Sequence, residues 1–429
     1  MSRNTVSRRS LLGAAGAASA VSLFAGPWQH NRVWAQGAAK PLRIGITADA
    51  SGMYANSGAS DKRGMAMAIA EANERGGVLG RKVEFVHIDT ETTAATGSRV
   101  AERMISREQC GFLVGAVHSG VANAISQVAQ KYGIVYINTN SSSPTEAGQN
   151  CHRVKFVFDG NGTNFAKAAV KSAIERFGPD WMLLTNDYVW GHDTAAATKA
   201  LLKEYGGKVM EEVMIPQGTR DFTSALLKVQ QRKPGVVSAA IGGDDQKAMR
   251  QQVAQLKMGD KPAWINSQQD WDDVYGLPIE TLFGVFGTTW YYRLDLPGVA
   301  DFVKRYQTMY PETAMRSPGN VFYNGYMAIR ELLGAVERAG TTNNIAVIKA
   351  LEGHRISARD RMQHFDATID AETHQVQQTI YLATANKAPK EKDDIFEVLS
   401  QAKAEDVRDT DSARLCKLEA YDKTPTFDA

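Results

Sequence analysis

Cysteine is nearly absent: the 429 residues contain three, Cys110, Cys151 and Cys416, set far apart. That excludes a dense disulfide framework and matches no metal-site spacing. An excess of one charge is also missing. Lys+Arg number 49 against 47 Asp+Glu, a net of +2, and no basic block is interleaved with aromatics. A nucleic-acid partner is therefore not expected. Long apolar runs are lacking too. The run Gly13 to Gly26 is short and rich in Gly and Ala, below the roughly 20 residues a membrane span needs. Catalytic signatures are absent as well: no G-x-S-x-G elbow, no P-loop and no H-E-x-x-H. Gly160 and Gly162 lack the third glycine of a dinucleotide loop and follow no first-strand turn. The eight histidines are scattered and never stand at i, i+4. His118 and His192 fall near expected strand ends, without partners that would orient them for catalysis. The expectation is a protein that is not an enzyme and carries no metal or cofactor.

What is present begins with the N-terminus. Ser7-Arg8-Arg9-Ser10-Leu11-Leu12 precedes the short apolar run, and Val33-Trp34-Ala35 offers a cleavage site. This pattern reads as a twin-arginine export signal, residues 1–35, cleaved near Ala35 and addressed to the periplasm. No cysteine follows the run, so a lipoprotein anchor is not supported. Removal of four arginines and no acid leaves 45 of the 49 basic residues against 47 acids, a net of −2. An oxidising compartment permits one disulfide and leaves one thiol over.

A chain of this length favours two lobes over a single core. Apolar runs bounded by turn residues alternate with helical periodicity, the pattern of βαβ units around parallel sheets. The first half offers strands at Leu42–Ala48, Lys82–Ile88, Phe112–Val117 and Ile134–Ile137, with helices at Asp61–Glu74, Ala95–Arg107 and Val121–Tyr132. The alternation restarts after Gly160-Asn161-Gly162 and continues to the strand Ala263–Asn266. Two long helices follow, Val299–Tyr310 and Val321–Ala339. Late strands are expected at Gln363–Asp366 and Gln375–Ala383, and from Lys387 the chain reads as a charged, peripheral tail.

In open parallel sheets, ligands sit at the carboxyl ends of the strands. Two strand-to-helix junctions carry suitable chemistry: Val117-His118-Ser119-Gly120, and Asn138-Thr139-Asn140-Ser141-Ser142-Ser143-Pro144. Hydroxyls and free N–H groups at a helix start bind anions, which makes Ser119 and Ser142 candidate carboxylate anchors. The same serines also suit simple helix capping. Aromatic residues mark other strand ends: Tyr188 and Trp190, Trp271, and Trp290-Tyr291-Tyr292. Each could line a cleft or pack a core. Asp244, Asp245, Gln268 and Asp270 follow strands and could meet a ligand's polar groups.

The order of these pieces resembles the type I periplasmic binding proteins of the branched-chain amino acid and amide transport family. The matching stretches are Ile44-Gly45-Ile46 with Ser51-Gly52, then Asn73-Glu74-Arg75-Gly76-Gly77-Val78-Leu79-Gly80-Arg81-Lys82-Val83. Asp187-Tyr188-Val189-Trp190-Gly191, Arg220-Asp221-Phe222-Thr223 and Asn324-Gly325-Tyr326 follow. The resemblance implies an α/β fold of two Rossmann-like lobes with parallel central sheets and a three-crossover hinge near Phe158–Gly160, Gly287–Trp290 and Phe365–Asp370. Lobe 1 would take residues 41–158 and 288–366, lobe 2 residues 159–287 and 367–400, and a C-terminal tail residues 401–429. It implies a substrate-binding component that closes on a small carboxylate-bearing ligand and presents it, as a monomer, to ABC transporter permease subunits. The resemblance implies ligand contacts at Ser119, Asn140, Ser141, Ser142, Trp190 and the Gln268 position; Tyr54, Val117, His118 and Asp244 complete the expected ligand set. Amino-acid binders of the family place an acid where Gln268 stands, so an amide, a hydroxy or keto acid or an aromatic acid competes with an α-amino acid. His118 stands where the family has a local disulfide. Similar proteins with long tails carry cysteines at the places of Cys151 and Cys416, which implies that these two pair and Cys110 stays free. A sensor presenting its ligand to a membrane receptor is the alternative, and a periplasmic hydrolase a more distant one.

Overall fold

The computed structural model describes residues 40–429; the expected export signal lies outside the described residues. The first sheet holds five parallel strands: β1 (Leu42–Ile46), β2 (Val83–His87), β3 (Phe112–Gly115), β4 (Val135–Asn138) and β5 (Lys155–Val157), in the order β2-β1-β3-β4-β5. Helices α1 (Ala55–Glu74), α2 (Ala94–Ser106) and α3 (Ser119–Tyr132) connect them. β3 and β4 are buried along their whole length, which explains their uninterrupted apolar runs. α1 begins six residues before the expected Asp61. Its first turns, Asn56-Ser57-Gly58-Ala59-Ser60, carry no apolar stripe and so gave no periodic signal.

The second sheet holds seven strands. β6 (Asp180–Asn186), β7 (Lys208–Ile215), β8 (Val236–Ala240), β9 (Ala263–Asn266) and β10 (Val285–Thr288) are parallel, joined through α4 (Gly162–Phe177), α5 (Val189–Glu204), α6 (Thr223–Arg232), α7 (Gly243–Gln255) and the one-turn α8 (Trp271–Val274). Helices α9 (Val299–Met309) and α10 (Asn320–Ala339) then return to the first sheet's side. Gly64 of α1 faces α10 so closely that a Cβ there would meet the Phe322 carbonyl oxygen at 2.0 Å. Glycine is the only residue that permits that approach.

The late chain departs from expectation. Gln363–Asp366 is no strand. Its buried Gln363 instead donates its amide to the Thr289 carbonyl at 2.7 Å, tying two chain passages together. Strands β11 (Arg355–Ile356), β12 (Ala367–Ile369) and β13 (Val376–Gln377) form a small antiparallel sheet, and Gln375 beside it bridges to Val157 of β5 in the first sheet. The third passage into the seven-stranded sheet therefore falls at Gln378–Thr379, later than Phe365–Asp370, before β14 (Ile380–Ala385). The stretch expected as a peripheral tail contains β15 (Phe396–Ala402), antiparallel to β14 at the sheet edge. An edge strand needs few buried residues, and here Phe396 alone is buried, so its sequence carries little apolar signal.

Asp159 is the knot of the hinge. Its buried carboxylate accepts from the Gln268 amide at 2.8 Å, the Asn324 amide at 3.0 Å, the Gly160 N–H at 2.9 Å and the Thr289 hydroxyl at 3.3 Å. Two chain passages, α10 and the loop after β9 thus meet on one side chain. Beyond β15 the chain packs Val407 against Phe165 and Ile380. It then crosses to the first sheet, where Cys416 forms a disulfide with Cys151 at a Cα separation of 5.6 Å. Cys110 is free and buried.

Candidate functional site

The carboxyl ends of both parallel sheets face one cleft, as open α/β sheets dictate. On one wall, β3 ends in a sharp turn, with Ala116 at φ +86, a conformation costly for a residue with a Cβ. The turn places Val117 in the cleft and starts α3 with His118 as its cap. The loop after β4 brings Asn140 and Ser142. The opposite wall comes from Tyr188, Trp190, Gly242, Gln246, Gln268, Asp270 and Asp273, and Tyr54 also lines it; the space they bound is small, about 20 Å³.

The two walls bond directly. The Tyr54 and Tyr188 hydroxyls meet at 2.5 Å, Ser142 donates to the Gln268 amide oxygen at 2.5 Å, and Ser57 donates to Asp273 at 3.3 Å. Gln268 also donates to Asp159 at 2.8 Å and to Asp270 at 3.1 Å. Its amide therefore spans the cleft with both ends satisfied by protein. His118 stacks on Tyr188 at 4.8 Å and meets the Gln217 amide at 3.0 Å. Burial pulls its pKa down to about 4, so the ring is neutral at physiological pH.

Of the residues expected from sequence, Tyr54, Val117, Asn140, Ser142, Trp190 and Gln268 line this space. Ser119 and Ser141 do not. They stand behind the wall, where Ser141 Oγ meets Ser119 Oγ at 2.9 Å and Glu146 Oε1 at 2.7 Å. Glu146 is paired with Lys155 at 2.9 Å, both fully buried. An ionised carboxylate only accepts, so the Ser141 proton goes to Glu146 and Ser141 accepts from Ser119. The Ser119 proton is then spent inside the wall. Asp244 turns outward to Lys247 at 3.3 Å and Arg220 at 3.5 Å. Trp271 packs on Tyr275, Tyr291, Tyr292 and Phe396, and Trp290 stacks on Tyr323; these aromatics build core, not cleft.

Sequence reasoning missed Asp159, Gln246 and Asp273. For Asp273 a signal existed: Asp270 and Asp273 are three apart on one helical turn and so share a face. Both are buried. Burial first, then the neighbouring carboxylate charge, raises each to about 7. Burial likewise raises Asp159 to about 7. Among the described residues no Lys or Arg lines the space, and the buried Trp190 indole N–H finds no acceptor there. The cleft thus holds two carboxylates that suit a cationic nitrogen and one donor that suits an oxygen.

A sequence model of the periplasmic binding protein family matches residues 41–392. The chain belongs to that family. It is 27% identical over 321 residues to Leu/Ile/Val-binding protein homolog 7 of Brucella abortus (strain 2308), covering 70% of this chain and 78% of that protein. It is 27% identical over 197 residues to Leu/Ile/Val-binding protein BraC3 of Rhizobium johnstonii, covering 46% of this chain and 53%, about half, of that relative. Its fold superposes on a periplasmic binding protein from Burkholderia mallei with a TM-score of 0.80 at 25% identity, over 88% of this chain and 99% of that one.

Proposed function

We propose that this chain is the substrate-binding component of an ABC transporter. In this reading it is exported by the twin-arginine signal at Arg8-Arg9, acts as a monomer in the periplasm, and closes about its hinge on a small zwitterionic ligand. A hinged clamp gains contacts from both lobes only when shut, so closure itself is the signal a permease can read. No covalent step is required.

The observation that carries the ligand class is the pair Asp270 and Asp273 in a cleft lined, among the described residues, by no Lys or Arg. A buried carboxylate near neutrality needs a cationic partner or a proton. An α-ammonium supplies that partner. The Trp190 N–H and the loop holding Ser142 supply donors for the ligand carboxylate. This favours an amino acid over the simple aliphatic or aromatic acids that the Gln268 position left open, because Asp270 and Asp273 replace the missing acid. The test is a calorimetric panel of leucine, valine, glutamine, acetamide and benzoate on the purified protein. Saturable binding of an amino acid with no benzoate binding supports the reading. Tight benzoate binding with no amino-acid binding overturns it.

A further inference from the structure

Asp193 stands on α5, three residues beyond Trp190, yet does not line the cleft. Its carboxylate reaches across to the other wall. There it accepts from the Ser143 hydroxyl and, at 2.8 Å, from the Thr145 hydroxyl. Ser143 and Thr145 directly follow Ser142, and the Ser143 hydroxyl also caps the Thr145 N–H at 3.2 Å. One acid of the second lobe therefore holds the end of the loop that carries the first lobe's ligand contacts. The arrangement runs against a charge. The buried Glu146 carboxylate is raised first by its own desolvation and lastly by Asp193 itself. Bringing Asp193 this close is unfavourable unless the two hydroxyl donors repay it, and charge-assisted hydrogen bonds are the strong ones.

We propose that Asp193, with Ser143 and Thr145, is a closing latch: a positioning group that sets how often the cleft is shut without touching the ligand. It rests on the hinge-closure reading above, but on no assumption about the ligand's chemistry. A latch adds the same increment to the affinity for any ligand, because it acts on the open–closed equilibrium. Specificity then remains with the cleft lining, and affinity can be tuned at Asp193.

The test measures closure without any ligand. Spin labels on Gln127→Cys of α3 and Lys203→Cys of α5, both exposed, report the distance between the lobes. Asp193→Ala and, separately, the pair Ser143→Ala with Thr145→Val are expected to raise the open-to-closed ratio by roughly tenfold or more, the effect of losing hydrogen bonds to a charged acceptor. Thermal midpoints of both variants are expected to stay near that of the parent. Unchanged distances in both variants overturn the latch. Opening by Asp193→Ala alone also overturns it, since the hydroxyls would then not be the partners. A more closed Asp193→Ala protein would show that repulsion from Glu146 wins. A ligand-panel failure leaves these distances unaffected, so the two readings fail separately.

Discussion

Ser142 and Gln268 face each other across the cleft, and the serine hydroxyl donates to the amide oxygen at 2.5 Å. The other end of that amide holds Asp159 and Asp270. A glutamine at this place is thus a tie between the lobes and the hinge. The acids proposed to meet the ligand stand next to it, at Asp270 and Asp273.

If these acids hold an ammonium, Asp270→Asn and Asp273→Asn should each weaken leucine binding by about 2–3 kcal/mol, since each removes a buried charge partner. Benzoate binding should strengthen or stay flat in the same proteins, because a repelling charge is gone. Calorimetry on the two variants checks both signs. Equal losses for both ligands would point to a damaged cleft.

The pH response follows from the same groups. Asp159, Asp270, Asp272 and Asp273 are raised to about 7 from an ordinary 3.8, each first by burial. The folded state therefore holds protons that the unfolded chain releases. Their contribution to stability is complete below about pH 4 and is lost as pH rises toward 7. The ligand-free thermal midpoint should fall across that window, and Asp270→Asn should flatten the fall. Affinity for a cationic ligand should rise as pH passes 7, and affinity for a simple acid should drop. A midpoint that climbs from pH 5 to pH 7.5 would contradict the assignment.

Ser119 and Ser142 looked alike in sequence, each at a strand-to-helix junction, and the structure separates them. Ser142→Ala should raise the ligand dissociation constant by about tenfold through loss of the cross-cleft bond. Ser119→Ala should leave binding nearly unchanged and lower the thermal midpoint slightly, since its hydroxyl serves the Ser141–Glu146 chain. Parallel titrations and melts on the two variants decide it.

The contrast shows where sequence reading reaches its limit. Strand runs such as Phe112 onward and Ala263–Asn266, and helix ends such as Tyr132, follow local rules and were legible. So were the two junctions, because parallel sheets always aim those loops at the cleft. Which serine lines the cleft depends on the Glu146–Lys155 pair behind it, set by residues nine apart that no periodicity connects. Asp159 was invisible for the same reason, since three of its four partners, Gln268, Thr289 and Asn324, come from distant segments. The strand β15 escaped because an edge strand with one buried residue leaves no alternation to see.

The Cys151–Cys416 disulfide closes a loop spanning 265 residues. Loop-entropy arithmetic puts such a bridge at about 5.6 kcal/mol, whereas measured bridges run about 2–5 kcal/mol. The tail also holds itself: Glu419 accepts from the Arg153 N–H at 2.7 Å, and Ser412 donates to the Pro144 carbonyl at 2.8 Å. Paired Cys151→Ser and Cys416→Ser substitution should therefore lower stability by about 2–4 kcal/mol and leave the fold intact. Denaturant unfolding with unchanged circular dichroism checks this. Loss of the native spectrum would mean the tail is needed for folding itself.

The buried pair Glu146–Lys155 gives the sharpest stability prediction. Both side chains are essentially without solvent contact, at 2.9 Å. Burial lowers the Lys155 pKa and raises the Glu146 pKa, and each partner opposes the shift of the other. Removing one member strands a charge in the interior, which costs about 3–5 kcal/mol, whereas replacing both is often close to neutral. Lys155→Met should thus be strongly destabilising. Glu146→Gln on top of it should recover most of the loss, because the glutamine oxygen still accepts from Ser141 and no charge remains. Denaturant melts of the single and double variants form the needed cycle. A double variant no more stable than Lys155→Met would show that the charge pair itself, rather than its balance, holds the loop behind the cleft.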